Sequence, residues 1–337
     1  MKPRQSLQRF AALVLLVVVS GGLIAPAESP AREKVAYRLK WLINASTAGD
    51  VFALSQGFFA GEGLDVVLKA GGPERDAIRE LELGYAQFGV ASADQVIRAV
   101  SKRASVVVVA QLFQVNPLQW IYRAGDFSLS RIQDLAGRTV GVTYGGNDET
   151  IIRALLASAG MDENQVRLAS VRYDYTPFLQ NQVQVWPVYR NTQGIFLADK
   201  LTAGGDRVAF FDPSEHGIRF VANSVVTSQK MIAQHPQMVH RFTRALLGGW
   251  RAAMATANET AVIHAVSEYD RDTSPTVMHR QLAATRRMVQ PDPDVPLGQI
   301  DTVAWQQTEQ IMIRQKLILE PVNIVDRLRT AEKLQSD

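Results

Sequence analysis

Residues 138–160 read RTVGVTYGGNDETIIRALLASAG. The first six have the β-branched character of a buried strand, and IIRALLASAG has the apolar spacing of a helix. Tyr144-Gly-Gly-Asn-Asp-Glu-Thr150 stands between them. Glycine tolerates the positive φ of a tight strand-to-helix turn, and Asn147 or Asp148 would make a good N-cap. Two readings stay open here. Either the chain merely turns, or the amide N–H groups at the helix start, reached easily past glycine, hold a polar ligand. Under both, a strand that hands over directly to a helix is the repeating unit of an α/β domain.

The same handover recurs on both sides. Upstream, VAYRLKWLI alternates as a first strand, and NASTAGDVFALSQG follows as a helix with a cap-like start and Gly57 as its stop. GLDVVLKA, AQFGVA and ASVVVVAQLF read as further strands, separated by helices at PERDAIRELELG and SADQVIRAVSK. The valine run is of the kind buried in a parallel sheet. Downstream come strands at QVRLASV, VQVWPV and DRVAFF, with helices around 176–181 and 191–201. Beyond Phe220 the chain turns almost wholly helical, with amphipathic segments near 236–256, 258–268, 274–289 and 300–316. No internal repeat or low-complexity segment interrupts this order. An α/β run, a second α/β run and a return to helices predict that lobe 2 (123–221) is inserted into lobe 1 (34–122 and 222–337). Two crossing strands near 120–126 and 218–226 would then form the hinge.

With 337 residues, 47% hydrophobic and 20% charged, the chain can build two such lobes. Its first residues, MKPRQSLQRFAALVLLVVVSGGLIAPA, place Lys2, Arg4 and Arg9 before an apolar run and end on Ala25-Pro-Ala27. That order predicts a secretory signal peptide over 1–27, cleaved after Ala27, rather than a membrane anchor. Without these three basic residues, 33 Lys and Arg face 33 Asp and Glu, so the basic balance belongs to the leader and indicates no nucleic-acid partner. There is no cysteine, which excludes disulfides, thiol catalysis and cysteine-ligated metal. An exported protein of this kind fits the periplasm of a bacterium with two membranes.

Catalytic patterns are missing. His216, His235, His240, His264 and His279 show no His-Glu-x-x-His pairing, so no metal site is expected. There is no Gly-x-Ser-x-Gly elbow, no phosphate-cradling loop and no dinucleotide fingerprint. What recurs instead is a polar or aromatic residue where a strand ends and a helix begins. Trp41, Asn44, Ser46 and Thr47 follow the first strand, Gly71-Gly72-Pro73 the second, and Ser92 and Asp94 the third. Gln111 and Gln114 end the fourth, and Gly145, Gly146 and Asn147 open the second lobe's helix. Trp120 and Trp186 also fall at expected strand ends. Each alone would most often be a cap or turn; together, on the edge where open α/β sheets bind ligands, they point to a cleft.

These residues also carry a resemblance. LKWLINASTAGDVFALSQGFFAGEGLDVVLKAGGPERDAIRELELGYAQFGVASADQVIRA resembles the opening of periplasmic substrate-binding proteins of ABC importers, in the branch that holds thiamine-pyrimidine-precursor and riboflavin binders. The matching features are Trp41, Gly57 to Val66 and Gly71 to Pro73, and in the second lobe LAGRTVGVTYGGND. The resemblance covers roughly 35–235. It implies a type II periplasmic binding protein: an α/β fold of two hinged lobes with a helical C-terminal region, a monomer with no cofactor and no catalytic residue. Such a protein delivers a small heteroaromatic nutrient to an ABC permease in the inner membrane. Trp41, Trp186 and Tyr189 are the expected stacking surfaces. Asn44, Ser92, Asn147, Asp174 and Asn191 are the expected hydrogen-bonding groups, with Gln114, Tyr144, Gly145 and Gly146 beside them. The chain departs from the branch where it carries Gln184, and where Thr192 replaces a carboxylate able to grip an aminopyrimidine. Asp174 could substitute, and Arg190 would favour ligand oxygens. The fungal enzymes of this fold rely on a cysteine cluster that this chain lacks. An aliphatic sulfonate or nitrate binder on the same scaffold, or an enzyme or sensor module, are the alternatives.

Overall fold

In the computed structural model, which describes residues 31–72 and 74–329, the expected α/β alternation is present. The expected leader and Pro73 lie outside the described residues. Ten strands follow in chain order: β1 (Glu33–Arg38), β2 (Leu64–Lys69), β3 (Phe88–Ala91), β4 (Val106–Gln111), β5 (Leu118–Arg123), β6 (Thr139–Val142), β7 (Arg167–Ser170), β8 (Val185–Tyr189), β9 (Val208–Phe211) and β10 (Ser224–Ser228). They form two five-stranded sheets, in the orders β2-β1-β3-β10-β4 and β7-β6-β8-β5-β9. In each, three parallel strands meet one antiparallel strand that arrives from far along the chain, β10 in the first and β5 in the second. Both lobes thus repeat one topology without a repeat in sequence, and the architecture is that of a type II periplasmic binding protein.

The first crossing between lobes differs from expectation. β5 pairs only with β8 and β9, so the chain passes over at 112–117 rather than at 120–126. The turn is made by Asn116 and Pro117: the Asn116 Oδ1 accepts from the Leu118 amide at 3.0 Å and its Nδ2 donates to the Phe220 carbonyl at 2.9 Å. That second bond ties the first crossing to the other one, which runs over 212–223 ahead of β10. Trp120, expected at a strand end, sits in the middle of β5, fully buried, with its indole N–H on the Gly141 carbonyl at 3.3 Å.

The C-terminal helices complete lobe 1 rather than forming a unit of their own. Pro236–Met254 lays Phe242 on Phe88 with ring centroids 3.7 Å apart, and beside it Tyr37 and Phe59. It crosses the helix Ala48–Ser55 so closely that a Cβ on Gly49 would lie 1.9 Å from the Trp250 ring. Under this crossing Asp50 is buried, accepting from the Tyr37 hydroxyl at 2.6 Å. Burial pushes its carboxyl up to about 7, although the Tyr37 hydrogen bond opposes the shift. The valine run of β4 lies at the sheet's edge yet is wholly buried, because Gly298 and Leu328 bridge to it from the C-terminal segment and cover the edge.

Candidate functional site

The carboxyl ends of β1, β2 and β3 face those of β6, β7 and β8 across a cavity of about 210 Å³. Five aromatic residues line it: Trp41 from lobe 1, and Tyr144, Tyr175, Trp186 and Tyr189 from lobe 2. Trp186 is buried to 2% exposure at the back, where Tyr175 packs edge-on against it at 5.9 Å. Nearer the mouth Trp41 meets Tyr173 of the opposite lobe at 5.3 Å. The loop after β2 approaches that contact with no room to spare. A Cβ on Gly72 would lie 2.0 Å from the Tyr173 hydroxyl, and its φ of +154° suits glycine alone.

Other contacts also join the lobes. Lys40 Nζ donates to the Tyr189 hydroxyl at 3.1 Å, and Asn191 Nδ2 donates to the Thr285 hydroxyl at 2.8 Å. Arg172 pairs with Glu74, and Arg280 with Asp199. The polar groups lining the cavity are Ser46, Gln95, Gln193 and Asn147, with the charged residues Lys40, Arg75, Asp76, Arg172 and Asp148. Asp148 is buried, which pushes its carboxyl up to about 6 against the pull of the Thr143 amide, bonded at 2.6 Å. Burial, followed by nearby Asp270, pushes the Tyr175 hydroxyl up to about 12, so it stays a neutral donor.

Seven of the twelve residues singled out from sequence line this cavity: Trp41, Tyr144, Gly145, Gly146, Asn147, Trp186 and Tyr189. The other five are engaged elsewhere. Asn44 caps the turn Ala45–Thr47, accepting from the Ser46 amide at 2.9 Å. Ser92 is fully buried and bonds to Asp94 at 2.6 Å in the cap of Ala93–Ser101. Gln114 ties to the carbonyls of Gln111 and Gln299. Asn191 lies in the seam against the helix Pro275–Val289. Asp174 is exposed and caps Thr176 at 2.9 Å, so it does not stand in for the carboxylate absent at Thr192. Arg190 lies over the Phe210 ring instead of the cavity.

The glycine turn behaves differently from the ligand-holding expectation. Its first two amides are already given away, Gly145 to Glu149 at 2.7 Å and Gly146 to the Thr143 carbonyl at 2.7 Å. Gly145 is required by its φ of +81°, with open space beside it. Gly146 has an ordinary φ and is required because a Cβ would lie 2.4 Å from Asp148 Oδ1. What the turn does present is Asn147, 6% exposed, whose Nδ2 is buried without a hydrogen-bond partner. Of the cavity residues that carried no sequence signal, Tyr175 stands one place from Asp174, and Arg75 and Asp76 lie three and four places after the Gly71-Gly72 pair. Lys40 precedes the chosen Trp41 and had no signal of its own.

Residues 44–260 match the family model described as NMT1/THI5 like. The chain belongs to this family. Within the NMT1/THI5-like family it is similar to the riboflavin-binding protein RibY of Chloroflexus aurantiacus, at 25% identity over 89% of this chain and 86% of that one. It is also similar to the formylaminopyrimidine-binding protein of Halalkalibacterium halodurans, at 23% identity over 88% and 89%. The alkanesulfonate-binding protein SsuA of Xanthomonas axonopodis shares the fold, with a TM-score of 0.66 at 15% identity over 90% of this chain and 99% of that one. As an NMT1/THI5-like protein the chain is a binding protein. No group of three or more metal-ligating side chains occurs among the described residues.

Proposed function

We infer that this chain is the periplasmic solute-binding component of an ABC importer. It captures a one-ring heteroaromatic nutrient, of the thiamine-pyrimidine-precursor kind, between its lobes and presents the closed complex to an inner-membrane permease. The observation that carries this reading is the cavity wall, where aromatic rings from both lobes face one enclosed space. Its volume of about 210 Å³ is room for a small ring compound between the lobes. The Tyr175 hydroxyl, Ser46, Gln95 and Gln193 supply the few donors and acceptors that would fix the orientation of such a ring. The formylaminopyrimidine-binding name of one relative supports a one-ring ligand, and the riboflavin-binding name of the other supports only the broader heteroaromatic class.

Titration calorimetry against aminopyrimidines, flavins and alkanesulfonates tests it, with Trp41→Ala run beside the parent. The expected result is binding of the pyrimidines and a loss of roughly two- to twelve-fold in Trp41→Ala, from about 0.5–1.5 kcal/mol per aromatic pair. Tight binding of an alkanesulfonate, indifferent to Trp41→Ala, would assign the cavity to aliphatic anions instead.

A further inference from the structure

Lys40, which lines this cavity with Arg75 and Arg172, is held in place by three separate parts of the chain. Lys40 leaves the end of β1 in lobe 1, where the loop after β2 pins its backbone. The Gly71 amide donates to the Trp41 carbonyl at 2.9 Å, and a Cβ on Gly71 would lie 2.1 Å from the Leu39 carbonyl oxygen. The Lys40 ammonium can only donate, so the Tyr189 oxygen accepts from it at 3.1 Å and passes its own proton to Asn223 Oδ1 at 3.0 Å. Tyr189 belongs to lobe 2, and Asn223 to the second crossing. Asn223 is 6% exposed, and its carbonyl takes the amides of Leu112 and Phe113 where the first crossing begins. The relay therefore runs from lobe 1 through lobe 2 to the hinge.

An ammonium carries three donors, and Tyr189 uses one; among the described residues Nζ has no second partner. Among the described residues no carboxylate forms an ion pair with it. Asp76 accepts from the amides of Ile78 and Arg79, Asp148 from that of Thr143, and Glu74 pairs with Arg172. The ammonium also lies 5.7 Å from the Tyr189 ring centroid, a favourable cation–π contact, and its two remaining donors are open to an anion brought in with the ligand. We propose that Lys40, oriented by Tyr189 and Asn223, clamps an anionic oxygen substituent, a carboxylate or a phosphate, on the aromatic ligand, and that this clamp is complete only when the lobes are closed. The proposal deepens the heteroaromatic reading and rests on it. It gives closure a chemical trigger, because the ligand's charge stabilises the one arrangement in which the relay is joined.

Calorimetry with three probes tests the clamp: pyrimidine-5-carboxylate, the neutral pyrimidine-5-carboxamide, and cyclohexanecarboxylate. The parent should bind the carboxylate at least about tenfold more tightly than the carboxamide. Lys40→Gln, and Tyr189→Phe, which keeps the ring and removes only the relay hydroxyl, should each collapse that ratio, the carboxylate losing far more affinity than the carboxamide. Equal affinity for the two pyrimidines, or a ratio unchanged in Lys40→Gln, overturns the clamp and leaves the ring reading standing. Binding of cyclohexanecarboxylate as tightly as the pyrimidine acid, still dependent on Lys40, overturns the ring reading and keeps the cation's role. No binding of any probe overturns both.

Discussion

Gly72 and Tyr173 offer a way to measure closure through one contact. Alanine at 72 would place its Cβ 2.0 Å from the Tyr173 hydroxyl, a separation no side chain tolerates. Tyr173 is 47% exposed and can swing away, but in doing so it gives up the Trp41 ring 5.3 Å distant across the cleft. That contact is worth about 0.5–1.5 kcal/mol, so the closed form should become about two- to twelve-fold less favoured. With ligand bound by the closed form, the apparent Kd should rise by the same factor. The φ of +154° adds a backbone cost that has nothing to do with Tyr173, and a double-mutant cycle separates the two. Gly72→Ala, Tyr173→Ala and the double variant would be titrated with pyrimidine-5-carboxylate. In the Tyr173→Ala background the steric part of the Gly72→Ala penalty should vanish, leaving a coupling of about 0.5–1.5 kcal/mol. Strictly additive effects would mean that the two residues do not meet in the bound state, and that the closed arrangement is not the one that holds ligand.

Two other outcomes follow from buried carboxyls and the glycine turn. Asp50, with its carboxyl pushed up to about 7, favours the fold while protonated. Its contribution is fully present below the unfolded value near 4 and is lost as pH rises through 7, a penalty of about 4 kcal/mol at pH 8. Asp50→Asn should therefore gain stability over the parent progressively between pH 5 and pH 8 in denaturant unfolding, and parallel curves would count against a neutral buried Asp50. Gly146→Ala should lower the melting temperature, because its Cβ meets Asp148 Oδ1 at 2.4 Å and the Thr143 carbonyl at 2.8 Å inside the turn. An unaltered melting temperature with weakened ligand binding would return that glycine to the ligand.

The fold was legible because it rests on signals that only one structure satisfies. Strand runs such as VVVV and VWPV, each followed by a capped helix, leave little besides an α/β lobe, and the long insertion shows in the late return to helices. The lobe boundary was harder: LFQVNPLQWIY is apolar across the crossing, and only Asn116 and Pro117 mark the turn, through hydrogen bonds to Leu118 and Phe220. The site was legible as a set of loops, less so as a set of atoms. Trp41 and Tyr189 were accessible because a large ring at a strand's carboxyl end has few local uses; Trp186, expected at a strand end, is the second residue of β8 instead. Asn44, Ser92 and Asp174 occupy the same kind of position, but a short polar side chain at a helix start finds local partners: Asn44 and Asp174 accept from nearby amides, and the Ser92 hydroxyl donates to Asp94. Lys40 becomes notable only beside Tyr189 and Asn223, which stand 149 and 183 residues away along the chain and meet it only in the folded protein.

The central claim is that the closed cavity is built for one aromatic ring. Native mass spectrometry of protein purified from its own periplasm without denaturation tests it most directly. The account predicts a single non-covalent adduct whose mass and ultraviolet spectrum, after release, are those of a one-ring heteroaromatic compound carrying an acidic oxygen substituent. A flavin, or an aliphatic sulfonate without ultraviolet absorbance, bound one to one and displaced by no aromatic competitor, would contradict it.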